Sequence, residues 1–149
     1  MLYFEDFVVG QRVALGSVEV LESEVLEFAR RYDPQPFHTD PERARASMYG
    51  GLIASGWHTC AMVMRLACDA YLLQAASLGS PGVEKIEWLE PVRPGDRLGA
   101  WREVREARPS RSKPDRGTVY TRLEAQNQHG RVVMRMHAWS MFGRRPAPA

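Results

Sequence analysis

Ser55-Gly56-Trp57-His58-Thr59-Cys60-Ala61-Met62-Val63-Met64-Arg65-Leu66-Ala67-Cys68-Asp69-Ala70-Tyr71-Leu72-Leu73-Gln74-Ala75-Ala76 contains the longest apolar-rich run of this 149-residue chain. Trp57, Cys60, Ala61, Met64, Ala67, Cys68, Tyr71, Leu72 and Ala75 recur at three- and four-residue steps, and Met62, Val63, Leu66 and Leu73 widen the stripe. That period belongs to an α-helix, and the polar residues left over form too narrow a face for a helix lying on a surface. The spacing predicts one long helix over Ser55–Ala76, capped by Ser55, with Trp57, Met64, Cys68 and Leu72 mostly buried. His58, Arg65, Asp69 and Gln74 interrupt the run, which makes it a core helix and not a membrane span.

Outside this run the period changes. Val13–Val20 reads as a short first strand, and Val83–Leu89, Asp96–Glu106, Thr118–Asn127 and Val132–Phe142 read as four more. Pro91, Pro94-Gly95, the segment 109–117 and His129-Gly130 supply the turns between them. One buried helix with a strand before it and four after it implies an α+β domain, an antiparallel sheet curled around the helix. Upstream, Glu24 to Arg31 carries acids early and arginines late, the polarity of a helix, which ends near Tyr32. Pro34 and Pro36 hold Asp33 and Gln35 extended, so Asp33 to His38 reads as a stiff loop. Asp40 then caps a short helix that has Pro41 at its first position.

The composition, 44% hydrophobic and 26% charged, fits one packed domain and excludes disorder. Twenty Lys and Arg against 18 Asp and Glu leave a net charge of +2, far from the basic face that sequence-independent nucleic-acid binding needs. Cys60 and Cys68 fall about 12 Å apart on a helix, too far for a disulfide. The opening Met-Leu-Tyr-Phe-Glu-Asp-Phe has no basic segment of a secretory leader, so a reducing cytoplasm is the expected location.

Asp33-Pro34-Gln35-Pro36-Phe37-His38-Thr39-Asp40-Pro41 places a carboxylate and an imidazole five residues apart on a proline-braced segment. An Asp and a His that reach one water supply general acid and base chemistry near neutral pH. On pattern alone the same residues also suit a turn and a structural hydrogen bond. His58 reads as a hydrogen-bonded core or interface residue. His129 and His137 have no Cys or His at ligand spacing, so no metal is expected. Arg108, Arg111, Lys113 and Arg116 mark a solvated loop or a contact for a negatively charged ligand or partner.

The 33–41 segment resembles the Asp-x-Asn-Pro-x-His-x-Asp-Pro pattern of the MaoC-like dehydratases and (R)-specific enoyl-CoA hydratases, also called hydratase 2. Gly50-Gly51-Leu52-Ile53-Ala54-Ser55-Gly56 is similar to the segment that opens that family's central helix. Pro91-Val92-Arg93-Pro94-Gly95-Asp96 and Tyr3 to Gly10 look like it too. The resemblance implies a single hotdog domain over residues 1–143 with a flexible tail over 144–149. It implies that Asp33 and His38 activate water for addition to a trans-2-enoyl thioester, giving an (R)-3-hydroxyacyl thioester. Gly51 would bind the thioester carbonyl through its backbone N–H, and Gln35 and Ser55 would contact substrate. The implied partner is an acyl-CoA or acyl-carrier thioester, with no cofactor, no membrane and at least a homodimer. Two positions depart from the pattern, Gln35 where the family has Asn and Gly50 where it has His. Two other readings stand beside this one, a hotdog thioesterase and a noncatalytic acyl-binding subunit. Thioesterases carry their acid on the central helix, where this chain has only Asp69.

Overall fold

The computed structural model describes residues 1–147. Its elements run β1 (Arg12–Glu19), α1 (Glu22–Tyr32), α2 (Pro36–Thr39), α3 (Pro41–Arg45), α4 (Gly56–Ala70), β2 (Gly82–Trp88), β3 (Arg97–Pro109), β4 (Arg116–Gln126) and β5 (Val132–Gly143), with 3-10 turns at Phe4–Asp6 and Leu72–Gln74. All five strands form one antiparallel sheet in the order β1-β3-β4-β5-β2. Each ladder carries a register shift, a feature that bends and twists a strand. Alternation along β3 and β4 turns Leu98, Ala100, Val104, Val119 and Leu123 inward, where they join Met62, Val63 and Ala67 of α4 in one core. Among the described residues no helix is long and apolar enough to cross a membrane.

The long helix is present but shorter than its period implies, ending at Ala70 rather than Ala76. Beyond it, Leu2 accepts from the Ala76 N–H and donates to the Gln74 carbonyl, so the chain leaves helical geometry to bridge with its own N-terminus. The buried face also differs. His58, Thr59, Met62, Val63 and Ala67 point inward, whereas Trp57 and Met64 are 58% and 45% exposed and Cys68 and Leu72 are half-buried. The apolar stripe is broad enough to cover two faces of the helix, and only one meets the sheet. The 33–38 loop contains a helical turn, because Pro36 takes the first position of α2, where a missing N–H costs nothing. Asp40 caps α3 as anticipated, its carboxylate accepting from the Glu42 and Arg43 N–H groups.

At the far end of the sheet, Phe7 stacks on Phe142 with ring centroids 4.1 Å apart, and the Phe4 ring lies against Gly117. A Cβ at Gly117 would overlap that buried ring, so Gly117→Ala overpacks the core. The expected cost is about 1–3 kcal/mol, read as a lowered denaturation midpoint. Of the tail expected from residue 144, Arg144 pairs with Glu5 and Arg145 with Asp6. Its residues 148 and 149 lie outside the described residues.

Candidate active site

Three short segments converge on the start of α4. Asp33 ends α1, its N–H bonded to the Ala29 carbonyl, and Pro34 prevents the helix from continuing. The single turn of α2 carries His38 into the interior, where the residue is 5% exposed. Between them runs 53–55, pinned by an Ile53 N–H to Phe37 carbonyl bond of 3.1 Å and an Ala54 N–H to Val92 carbonyl bond of 2.8 Å.

The side chains meet in one network. His38 Nδ1 lies 2.8 Å from the Ile53 carbonyl oxygen, which only accepts, so Nδ1 carries the proton. His38 Nε2 then faces Asp33 Oδ2 at 3.3 Å. The same Oδ2 accepts from Ser55 Oγ at 2.7 Å, and Asp33 Oδ1 accepts from Gln35 Nε2 at 2.8 Å. Burial pushes the Asp33 carboxyl up, but the two hydrogen bonds and the nearby imidazole outweigh it and hold the group below the usual aspartate value. Asp33 is therefore a carboxylate at neutral pH, with imidazole on one side and neutral donors on the others.

Asp33, Gln35 and His38 open into a cavity of about 490 Å³ whose wall also includes Phe37, Tyr49, Ala54, Gly56, Trp57, Thr59 and Trp88. Ser55 is fully buried behind this wall. Its hydroxyl does not cap α4, because it is committed to Asp33. Gly51 does not line the cavity. It sits beside Arg93, whose guanidinium donates to the Tyr49 carbonyl. Gly56 and Trp57, at the first turn of α4, form part of the wall, and their N–H groups precede the first intrahelical donor, Thr59. Gly50 adopts φ +65°, the left-handed conformation that glycine tolerates, in the turn before 51–55.

His58 is buried, but stacking on Phe28 at 4.8 Å holds it in place, and its Nδ1 has no hydrogen-bond partner. Burial pushes this imidazole pKa down, against the opposing charge of Glu24. Among the described residues no His, Cys, Asp and Glu cluster suits a metal. The basic loop stands apart from the cavity, with Arg108 on Glu106 and Trp139, and Arg116 on Asp115. Sequence reasoning missed Tyr49, Thr59 and Trp88 as wall residues and read Trp57 as core. The nearest signal was Gly56, a glycine at the first position of a helix, where a large side chain could approach.

Residues 6–127 match the MaoC like domain family, and the chain belongs to it. The 3-hydroxyacyl-thioester dehydratase Z of Mycobacterium tuberculosis is 35% identical over 94 residues, 61% of this chain and 62% of that protein. This chain thus spans less than two thirds of that dehydratase. Bacillus subtilis YdeM, an uncharacterized protein, is 28% identical over 124 residues, 83% of this chain and 86% of its own. Among solved structures, the MaoC-like dehydratase of Rhodospirillum rubrum is 42% identical and superposes with a TM-score of 0.91, covering 99% of this chain and all of that one. The sheet with its central helix is the hotdog fold of this family.

Proposed function

We propose that the protein is a hydro-lyase that interconverts trans-2-enoyl and (R)-3-hydroxyacyl thioesters. The observation that carries this reading is the Asp33–His38 pair, 3.3 Å apart and open to one cavity. In the hydration direction the Asp33 carboxylate takes a proton from water as the water oxygen bonds to C3. The C2–C3 π electrons move toward the thioester oxygen, and the N–H groups at the first turn of α4 stabilise the charge that develops there. The proton taken up by Asp33 crosses the 3.3 Å gap to His38 Nε2, which is free to accept it because the ring's own hydrogen sits on Nδ1, and Nε2 delivers it to C2. The sum is one water added and no other group consumed. Because acid and base stand together on one wall, hydroxyl and proton reach the same face of the alkene, which makes the addition syn.

Asp69, the only acid on α4, is exposed and paired with Arg65 at 2.8 Å, outside the cavity, which speaks against the thioesterase reading. Incubation with crotonyl-CoA tests the proposal. Loss of enoyl absorbance without thiol release, with a product of R configuration, is expected. Thiol release instead would establish a thioesterase, and binding without turnover a noncatalytic subunit.

The Ser55 hydroxyl helps to hold Asp33 ionised, so Ser55→Ala should raise the Asp33 pKa. Since the carboxylate is the working form, the acid limb of the kcat/KM profile should move to higher pH, a shift that pH-rate measurements would detect. Assembly is a further expectation. The edge strands β1 and β2 each leave one row of backbone groups unpaired, and Met64, Leu73 and Val83 remain exposed. A homodimer covers such edges, and light scattering should give twice the mass of the chain at micromolar concentration.

A further inference from the structure

We propose that Trp88, buttressed by Trp57, is a specificity-determining residue whose indole forms a platform for the amide-bearing arm of the thioester carrier. This inference rests on the thioester reading above and goes beyond it, because it concerns the part of the substrate that does not react.

The cavity has an inner and an outer end. Ala54, Thr59 and Val92 are buried at its inner wall, whereas Trp57 and Trp88 are 58% and 47% exposed at its rim. Asp33 and His38 lie inward of that rim, with side chains 18% and 7% exposed. A thioester that brings C2 and C3 to this pair must therefore leave its carrier arm lying outward, across the tryptophans.

Trp88 is held in place although half of it faces solvent. Its indole N–H donates to the Gly56 carbonyl at 3.0 Å, and its ring meets Trp57 edge to face at 5.2 Å and 77°. The ring lies so close over Gly56 that a Cβ there would overlap Cε2, Nε1 and Cδ2. Glycine at the first position of α4 thus provides the seat for the indole. A large aromatic surface kept exposed and fixed at the mouth of a catalytic cavity suits stacking with a planar group of the ligand. The charge on the wall narrows the choice of group. The cavity is lined by Asp33 and Glu90 and by no Lys or Arg, which disfavours phosphate and leaves the uncharged amides of a pantetheine arm.

The test compares crotonyl-pantetheine with S-ethyl thiocrotonate, which has no amide, in wild type, Trp88→Ala and Trp88→Phe. Trp88→Ala should lower the ratio of kcat/KM for the two substrates, pantetheine over ethyl, about three- to tenfold, mostly through KM, with Trp88→Phe in between. Equal losses on both substrates, or a change of assembled mass without a change in the ratio, would overturn the platform. A second measurement is independent of turnover. Butyryl-pantetheine, which cannot be hydrated, should quench tryptophan fluorescence in wild type and much less in Trp88→Phe. Quenching of this kind with no turnover of any enoyl thioester would defeat the hydration reading and keep the platform. Absence of quenching in wild type would defeat the platform.

Discussion

Asp33→Asn and His38→Ala should each lower the turnover of crotonyl-CoA by about 10²- to 10⁴-fold, the range typical of a lost, positioned acid or base. Asn at position 33 keeps the size of the side chain and an oxygen that can accept from Ser55, so the network of hydrogen bonds around it largely survives. What it loses is the negative charge that takes the proton of water in the proposed reaction. His38→Ala removes the group that faces both the Ile53 carbonyl and Asp33 Oδ2, and leaves that buried carbonyl without its donor. A stability loss of about 1–3 kcal/mol accompanies it, with the fold retained. The double variant should be scarcely slower than the slower single one, because in the proposed reaction both residues serve one water and one pair of carbon atoms. Near wild-type hydration by either single variant would refute the site assignment.

The parts of this site were unequally legible in the sequence. Spacing placed Asp33 and His38 on one proline-braced segment, but their meeting depends on the turn of α2, which arises where an extended loop was expected. It could not show that His38 Nδ1 is engaged by Ile53, fifteen residues away, because that contact depends on where the 53–55 segment passes. Ser55 illustrates the same limit. A serine before a helix is locally a cap, and only the arrival of Asp33 from α1 turns its hydroxyl to a different partner. Helical periodicity told which residues of α4 share a face but not which face the sheet covers. Trp57 and Met64, counted with the core, therefore lie outside it. Alternation on β3 shows the opposite case. Leu98, Ala100, Arg102 and Val104 share one face, and the strand carries Arg102 inward with the rest, where Phe7 and Tyr71 flank its guanidinium at 5.0 Å and 4.7 Å. The pattern fixed that direction, while the aromatic rings that make it tolerable come from the N-terminus and the end of α4.

Phe142→Ala should separate stability from chemistry. Phe142 is 1% exposed on β5, stacked face to face on Phe7, which in turn meets Tyr71 edge-on at 6.2 Å. Its backbone pairs with Gly117 of β4, the residue whose missing side chain makes room for Phe4. Truncation at this point opens a cavity beneath the N-terminal segment, and Phe7, itself packed edge-on against Tyr71, cannot collapse into it without losing that contact. The cost expected for such a truncation is about 3–5 kcal/mol, a large fraction of the roughly 5–15 kcal/mol that holds a domain of this size together. Chemical denaturation should show this as a much lower midpoint with an unchanged slope. None of the affected residues lines the cavity at Asp33 and His38. At a temperature where the variant is still folded, its kcat should therefore remain within about twofold of wild type. A loss of kcat comparable to that of Asp33→Asn in folded Phe142→Ala would mean that the far end of the sheet positions the acid–base pair, contrary to the local network of Ser55, Gln35 and Ile53 that accounts for it here.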